Sequence, residues 1–128
     1  MLSQLLDWAD KQPAVVVETG TGAKYPTLRF RIQTDHNSVT FIVFWPDEKD
    51  ASLGANLYFG SLAAGIPAFL DAEARKDIAR KIHDEIDAQF DPCAFEKYPS
   101  FKVENLRAVD AVFRLMDMIA QRAATGQE

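Results

Sequence analysis

The pattern of apolar and polar positions divides the chain into a strand-forming first half and a helical second half. Leu2, Leu5, Leu6 and Ala9 recur at helical spacing, which predicts a short amphipathic helix over residues 2–11 with Trp8 at its edge. Pro13 ends it. The β-branched run Ala14 to Val17 reads as a strand closed by Thr19-Gly20-Thr21-Gly22. From Thr27 to Thr34 the alternation is strict: Leu28, Phe30 and Ile32 face a core, and Arg29, Arg31 and Gln33 face water. Asp35-His36-Asn37-Ser38 supplies turn chemistry, so Val39 to Trp45 should return antiparallel. In that run Val39, Phe41, Val43 and Trp45 fall on one face and Ile42 and Phe44 on the other. Two apolar faces predict a central strand whose second face is covered by a helix or by another chain. After the loop Pro46-Asp47-Glu48-Lys49-Asp50, Ser52 to Leu62 reads as a fourth strand, with Gly54 and Gly60 marking a bulge or a close backbone approach.

The period then changes. Asp71 is an expected N-cap with Glu73 in the first turn, and Ile78, Ile82, Ile86 and Phe90 fall four apart, as on a helix lying across a sheet. Asp91-Pro92 stops it. Residues 91–102 read as an ordered loop anchored by Phe95, Tyr98 and Phe101. A long helix follows from about Val103 to Ala124. Its polar stripe is Arg107, Asp110, Arg114, Asp117 and Gln121, and most of the remaining circumference is apolar. Such a helix is either the central packing element or an interface, for instance one that pairs two copies of the chain. The expected fold is therefore α+β: an N-terminal helix, a four-stranded, mainly antiparallel meander over residues 14–62, and two C-terminal helices packed on it, in one domain of 128 residues.

Composition narrows the function classes. Apolar residues make up 48% and charged residues 26%, which fits a folded domain and excludes disorder. A net charge of −5 argues against a sequence-independent nucleic-acid binder. The one cysteine, Cys93, forms no internal bridge and suits a reducing compartment. The first residues lack a basic n-region, and the longest low-charge stretch, Ser61 to Leu70, is far short of a membrane span, so a cytoplasmic protein with no membrane association is expected.

Candidate chemistry is sparse. Thr19-Gly20-Thr21-Gly22-Ala23-Lys24 lacks the spacing of a phosphate-binding loop and is followed by a strand, so it reads as a turn. His83 and Asp87 share a helix face, but no further ligand has readable spacing, and His36 lies in a turn; no metal or cofactor is expected. Cys93 reads as a small buried hydrophobe rather than a nucleophile paired with His83 or His36. Lys24, Arg29 and Arg31 form a modest basic patch explained by a half-exposed sheet. A competing ligand-binding or enzymatic reading places a pocket between the sheet and the last helix, lined by Trp45, Tyr58 and Phe113. The least ordinary feature is acidic. Asp84, Glu85, Asp87 and Asp91 fall at the end of the second predicted helix, where carboxylates oppose the macrodipole by about 0.3–1 kcal/mol each. They read as a surface kept for a basic protein partner, extended by Asp47, Glu48 and Asp50.

The run Val39-Thr40-Phe41-Ile42-Val43-Phe44-Trp45, with its acidic loop and following strand, resembles the small bacterial immunity proteins that neutralise polymorphic or contact-dependent toxins. The resemblance lies in the architecture and implies a protein inhibitor that binds a basic toxin through acidic side chains. A type III secretion chaperone, which carries an effector and dimerises, is similar in length and charge. It departs from this sequence in that no strand is expected between residues 91 and 102.

Overall fold

The computed structural model describes residues 2–21, 26–34, 38–46, 53–104 and 106–125. Among them are five strands and four α-helices: α1 (Leu2–Asp10), β1 (Val15–Thr21), β2 (Pro26–Gln33), β3 (Ser38–Pro46), β4 (Leu53–Leu57), α2 (Phe59–Gly65), α3 (Ala72–Lys81), β5 (Ser100–Val103) and α4 (Leu106–Thr125). A short 3-10 segment, Pro67–Leu70, precedes α3, and a π-helical turn, Ile82–Ile86, extends it. The sheet is antiparallel with strand order β1-β2-β3-β4-β5. The α+β class and the meander hold, and the sheet is one strand wider than the four expected.

Register explains the two apolar faces of β3. Arg31 pairs with Thr40 but Phe30 pairs with Ile42, so Phe41 is an extra residue opposite Phe30. This β-bulge puts two residues against one and turns the strand over. Beyond it Ile42 and Phe44 share the core face with Val39, and Val43 and Trp45 point to the other side. That reverses the alternation read from the sequence. Phe41, Ile42 and Phe44 are all fully buried.

The core lies on one side of the sheet. Leu28, Phe30 and Ile32 of β2 join Leu53, Ala55 and Leu57 of β4 and Phe101 and Val103 of β5 in one cluster with α1, α3 and α4. Phe30 is its aromatic centre, with edge-on contacts to Trp8, Phe41 and Phe44. On α1 the buried side chains are Leu5, Trp8 and Ala9, while Leu6 is exposed, so Trp8 sits inside the stripe rather than at its edge. Its indole N–H donates to Asp117 Oδ1 at 2.7 Å, which gives the polar stripe of α4 a buried partner. Val109, Val112, Leu115, Met116 and Ile119 are buried, so α4 is a central packing element within this one chain.

Two expectations about the connections are corrected. The run Ser52 to Leu62 is not one strand: it splits at Tyr58, and Phe59 onward is helical, because α2 occupies the space beside the first half of β3 that β4 does not reach. There Tyr58 N–H donates to Phe41 O, and a methyl at Gly65 would overlap Val39. The expected loop at 91–102 ends in β5, whose residues Phe101 and Val103 alternate into the core opposite Ala55 and Leu53. The aromatic anchors of that loop are present: Phe95 lies under Arg75 and Lys76, Tyr98 stacks edge-on against Tyr58, and Phe101 against Phe90. No helix among the described residues is long and apolar enough to cross a membrane.

Candidate binding surfaces

The acidic end expected to bind a partner is largely engaged within the chain. Asp84 and Glu85 lie together on the π-helical turn, which Asp87 closes by donating its N–H to Ile82 O at 2.7 Å. Glu85 pairs with Lys81 at 3.4 Å and with Arg114 of α4 at 3.3 Å. With Arg107 these groups line a groove in which the arginines of the α4 stripe compensate the carboxylates. Asp87 stands beyond the helical turn. Its Oδ1 accepts from Gln89 N–H and its Oδ2 from Lys102 N–H, both at 3.0 Å, so it seals the free edge of β5. Asp91 Oδ1 accepts from Cys93 N–H in a local turn. Asp84 keeps its side chain in water, 69% exposed, with His83 Nε2 at 4.0 Å. Asp47, Glu48 and Asp50 lie outside the described residues. Glu85 thus has an intramolecular counter-charge, and Asp87 and Asp91 lie past the end of the helix altogether. Sequence alone could not show this, because it depends on β5 and on the angle at which α4 crosses.

This changes the expected behaviour of a charge-reversal variant. From the sequence, converting Asp84, Glu85 and Asp87 to lysine leaves folding intact or improves it. With Asp87 holding the part-buried Lys102 amide, whose loss of an acceptor costs about 1–3 kcal/mol, the triple variant is instead expected to melt roughly 5 °C lower. Asp84→Lys alone should stay within about 0.5 kcal/mol of wild type. Thermal denaturation followed by circular dichroism checks both; an unchanged midpoint for the triple variant would show that this bond contributes nothing.

The other candidate groups are dispersed. His83 Nδ1 lies 2.9 Å from Phe90 O, so the ring serves a turn. No group of three metal-ligating side chains occurs among the described residues. Cys93 is exposed rather than buried, since it follows the Asp91 turn on the surface. Gly20 and Thr21 are the last residues of β1, not a turn, and Lys24 and His36 lie outside the described residues. The expected pocket does not form from its three residues: Trp45 is on the sheet face away from α4, and Phe113 is packed at the margin of the core.

Tyr58 does line a cleft, on a different face. The side of the sheet away from the core carries Val16, Glu18, Arg29, Arg31, Thr40, Val43, Trp45, Asn56 and Lys102, and among the described residues no helix lies across it. Trp45 lies over Gly54, its cross-strand neighbour, where a Cβ would collide with the indole; this is the close approach for which Gly54 is required. At the β3 end α2 flanks the face, and between them lies an open cleft of about 480 Å³ lined by Arg29, Arg31, Thr40, Tyr58 and Ser61, with Ala64 and Gly65 as its helical wall. Glu18 sits directly opposite Arg29 in register, yet its carboxylate is taken diagonally by Arg31 at 2.9 Å. Arg29 has no ion-pair partner among the described residues. The alternation of β2 announced both arginines as solvent-facing; the wall that makes a cleft of them came from the segment read as strand. No family model matches the chain, and no curated protein or solved structure is significantly similar to it.

Proposed function

We propose that the chain is a protein-binding module of the immunity-inhibitor kind, which sequesters another protein rather than catalysing a reaction, and that it engages its partner through the open face of the sheet. The observation that carries this reading is Trp45. It is half-exposed, held flat on Gly54 beside the buried Val43, and shares its face with Arg29 and Arg31. An aromatic side chain and two arginines on one open face are the residue types that dominate binding energy at protein interfaces. The basic character of this face, in a chain of net charge −5, favours an acidic contact surface on the partner. The basic-partner reading retains Asp84, whose side chain is solvated, and the acids of the β3–β4 loop.

A secretion-type chaperone is the second reading, favoured by one observation: β5 stands between α3 and α4, where no strand was expected.

The test begins with capture of a partner by the immobilised chain, its identification by mass spectrometry and reconstitution of the purified pair. Calorimetric titration should then give Trp45→Ala a Kd at least about 30-fold weaker, a loss of about 2 kcal/mol, and Asp84→Lys a Kd within about twofold of wild type. The reverse pattern assigns the interface to the acidic end. Two unaffected variants sink the open-face reading.

A further inference from the structure

We infer that the cleft between the open face and α2 is a binding site for a phosphate monoester, with Arg29 and Arg31 as its cationic ligands. The inference does not depend on the protein-binding reading. The cleft, about 480 Å³, is within the size range of small-molecule sites, and two arginines and four hydroxyl-bearing residues line it beside Val39, Ala64 and Gly65.

The two arginines are adjacent on the outward side of β2, so both guanidinium groups rise from the same floor. They are not equivalent. Arg31 is held in place: Nη1 donates to Glu18 Oε1 at 2.9 Å and Nη2 to Ser38 O at 3.4 Å, while its Nε, closed off from water, has no acceptor. Arg29 is exposed, and the carboxylate that register places opposite it is already engaged by Arg31. The result is a fixed cation beside one with no ion-pair partner among the described residues, with the Glu18 carboxylate already neutralised. Around them stand the hydroxyls of Ser38, Thr40, Tyr58 and Ser61, each able to donate one hydrogen bond. Tyr58 is steadied by its edge-on contact with Tyr98, at 4.9 Å between ring centroids. On the far wall Ala64 and Gly65 present almost no side chain, which keeps the cleft open, and Gly65 cannot gain one without striking Val39.

Donors of this number and spread match a tetrahedral group with three peripheral oxygens better than a planar carboxylate with two. Arginine forks bind phosphate oxygens in pairs, and a hydroxyl ring takes the remaining lone pairs.

The experiment is a titration of the whole protein with inorganic phosphate, chloride being exchanged to hold ionic strength constant. The readout is the nuclear magnetic resonance signals of the arginine Nε–H groups and the backbone amides. Saturable shifts confined to Arg29, Arg31, Thr40 and Ser61 are expected. Acetate should bind at least about tenfold more weakly, and Arg29→Gln should weaken phosphate by a similar factor without moving the melting temperature. Glycerol 3-phosphate and a phosphoserine peptide separate the two sources of the group: whichever exceeds inorganic phosphate identifies a free ester or a modified side chain. Non-saturating shifts spread over all basic residues, an acetate affinity equal to that of phosphate, or an Arg29→Gln variant that titrates like wild type would each overturn the assignment.

Discussion

Ile82→Asp is expected to leave no stably folded protein. Ile82 opens the π-helical turn and is fully buried in the cluster that joins α3 to α4. Its neighbours in that cluster are apolar side chains, and burying an unpaired polar or charged group costs several kcal/mol, comparable with the whole stability of a domain this size. The measurement is soluble yield together with a thermal melt; a cooperative transition near that of wild type would contradict the packing described. Phe113→Asp forms the natural comparison. From sequence the two substitutions look equally severe, since both residues belong to apolar stripes. Phe113 is only half-buried, so its replacement can reach water, and a folded but weakened protein is expected.

Phe30→Ala is expected to cost about 3–5 kcal/mol, the upper range for truncating a buried aromatic. Phe30 is completely enclosed, and three rings meet it edge-on, with centroids at 6.2 Å for Trp8, 6.4 Å for Phe41 and 5.6 Å for Phe44. Each such contact adds about 0.5–1.5 kcal/mol beyond the area it buries. The loss should appear as a reduced urea midpoint with an unchanged slope. The near-ultraviolet circular dichroism of Trp8 should weaken as well, because the indole loses one wall while Asp117 still holds its N–H. A loss below about 1 kcal/mol would mean that the neighbouring rings close the gap without strain.

Periodicity carries information unevenly along the chain. In β2 the apolar residues alternate strictly with Arg29, Arg31 and Gln33, so strand, face and register direction are all legible, and Leu28, Phe30 and Ile32 are buried as read. In β3 both alternating sets are apolar, so the pattern cannot report the slip at Phe41 that exchanges the faces beyond it. The N-cap at Asp71 is legible because its chemistry is local: its Oδ1 accepts from Glu73 N–H, two residues on. Strand β5 is not, since its few residues sit between a proline and a helix and owe their conformation to β4. That one omission propagates to the candidate site. Without β5, Asp87 is an acid at an unfavourable helix end; with it, Asp87 is the acceptor for a strand edge. The cleft was hidden for a related reason, because its second wall is the helix into which the run after Tyr58 folds.

The position of β5 at the end of a consecutive meander also fixes an order of events during synthesis. Strands β1 to β4 are sequence neighbours and can close as hairpins as soon as they leave the ribosome, whereas β5 joins β4 only after the whole α2–α3 segment has been made. Throughout that interval the nascent chain carries the bare backbone edge of β4, with Leu53, Ala55 and Leu57 beside it, in a state open to pairing with other chains. Asp87 is translated before Lys102, so the acceptor that fastens the outer edge of β5 is already in place when the strand arrives. A ribosome that stalls between the two therefore holds a sheet whose β4 edge is still uncovered, and the synthesis of residues 100–103 supplies the strand that covers it.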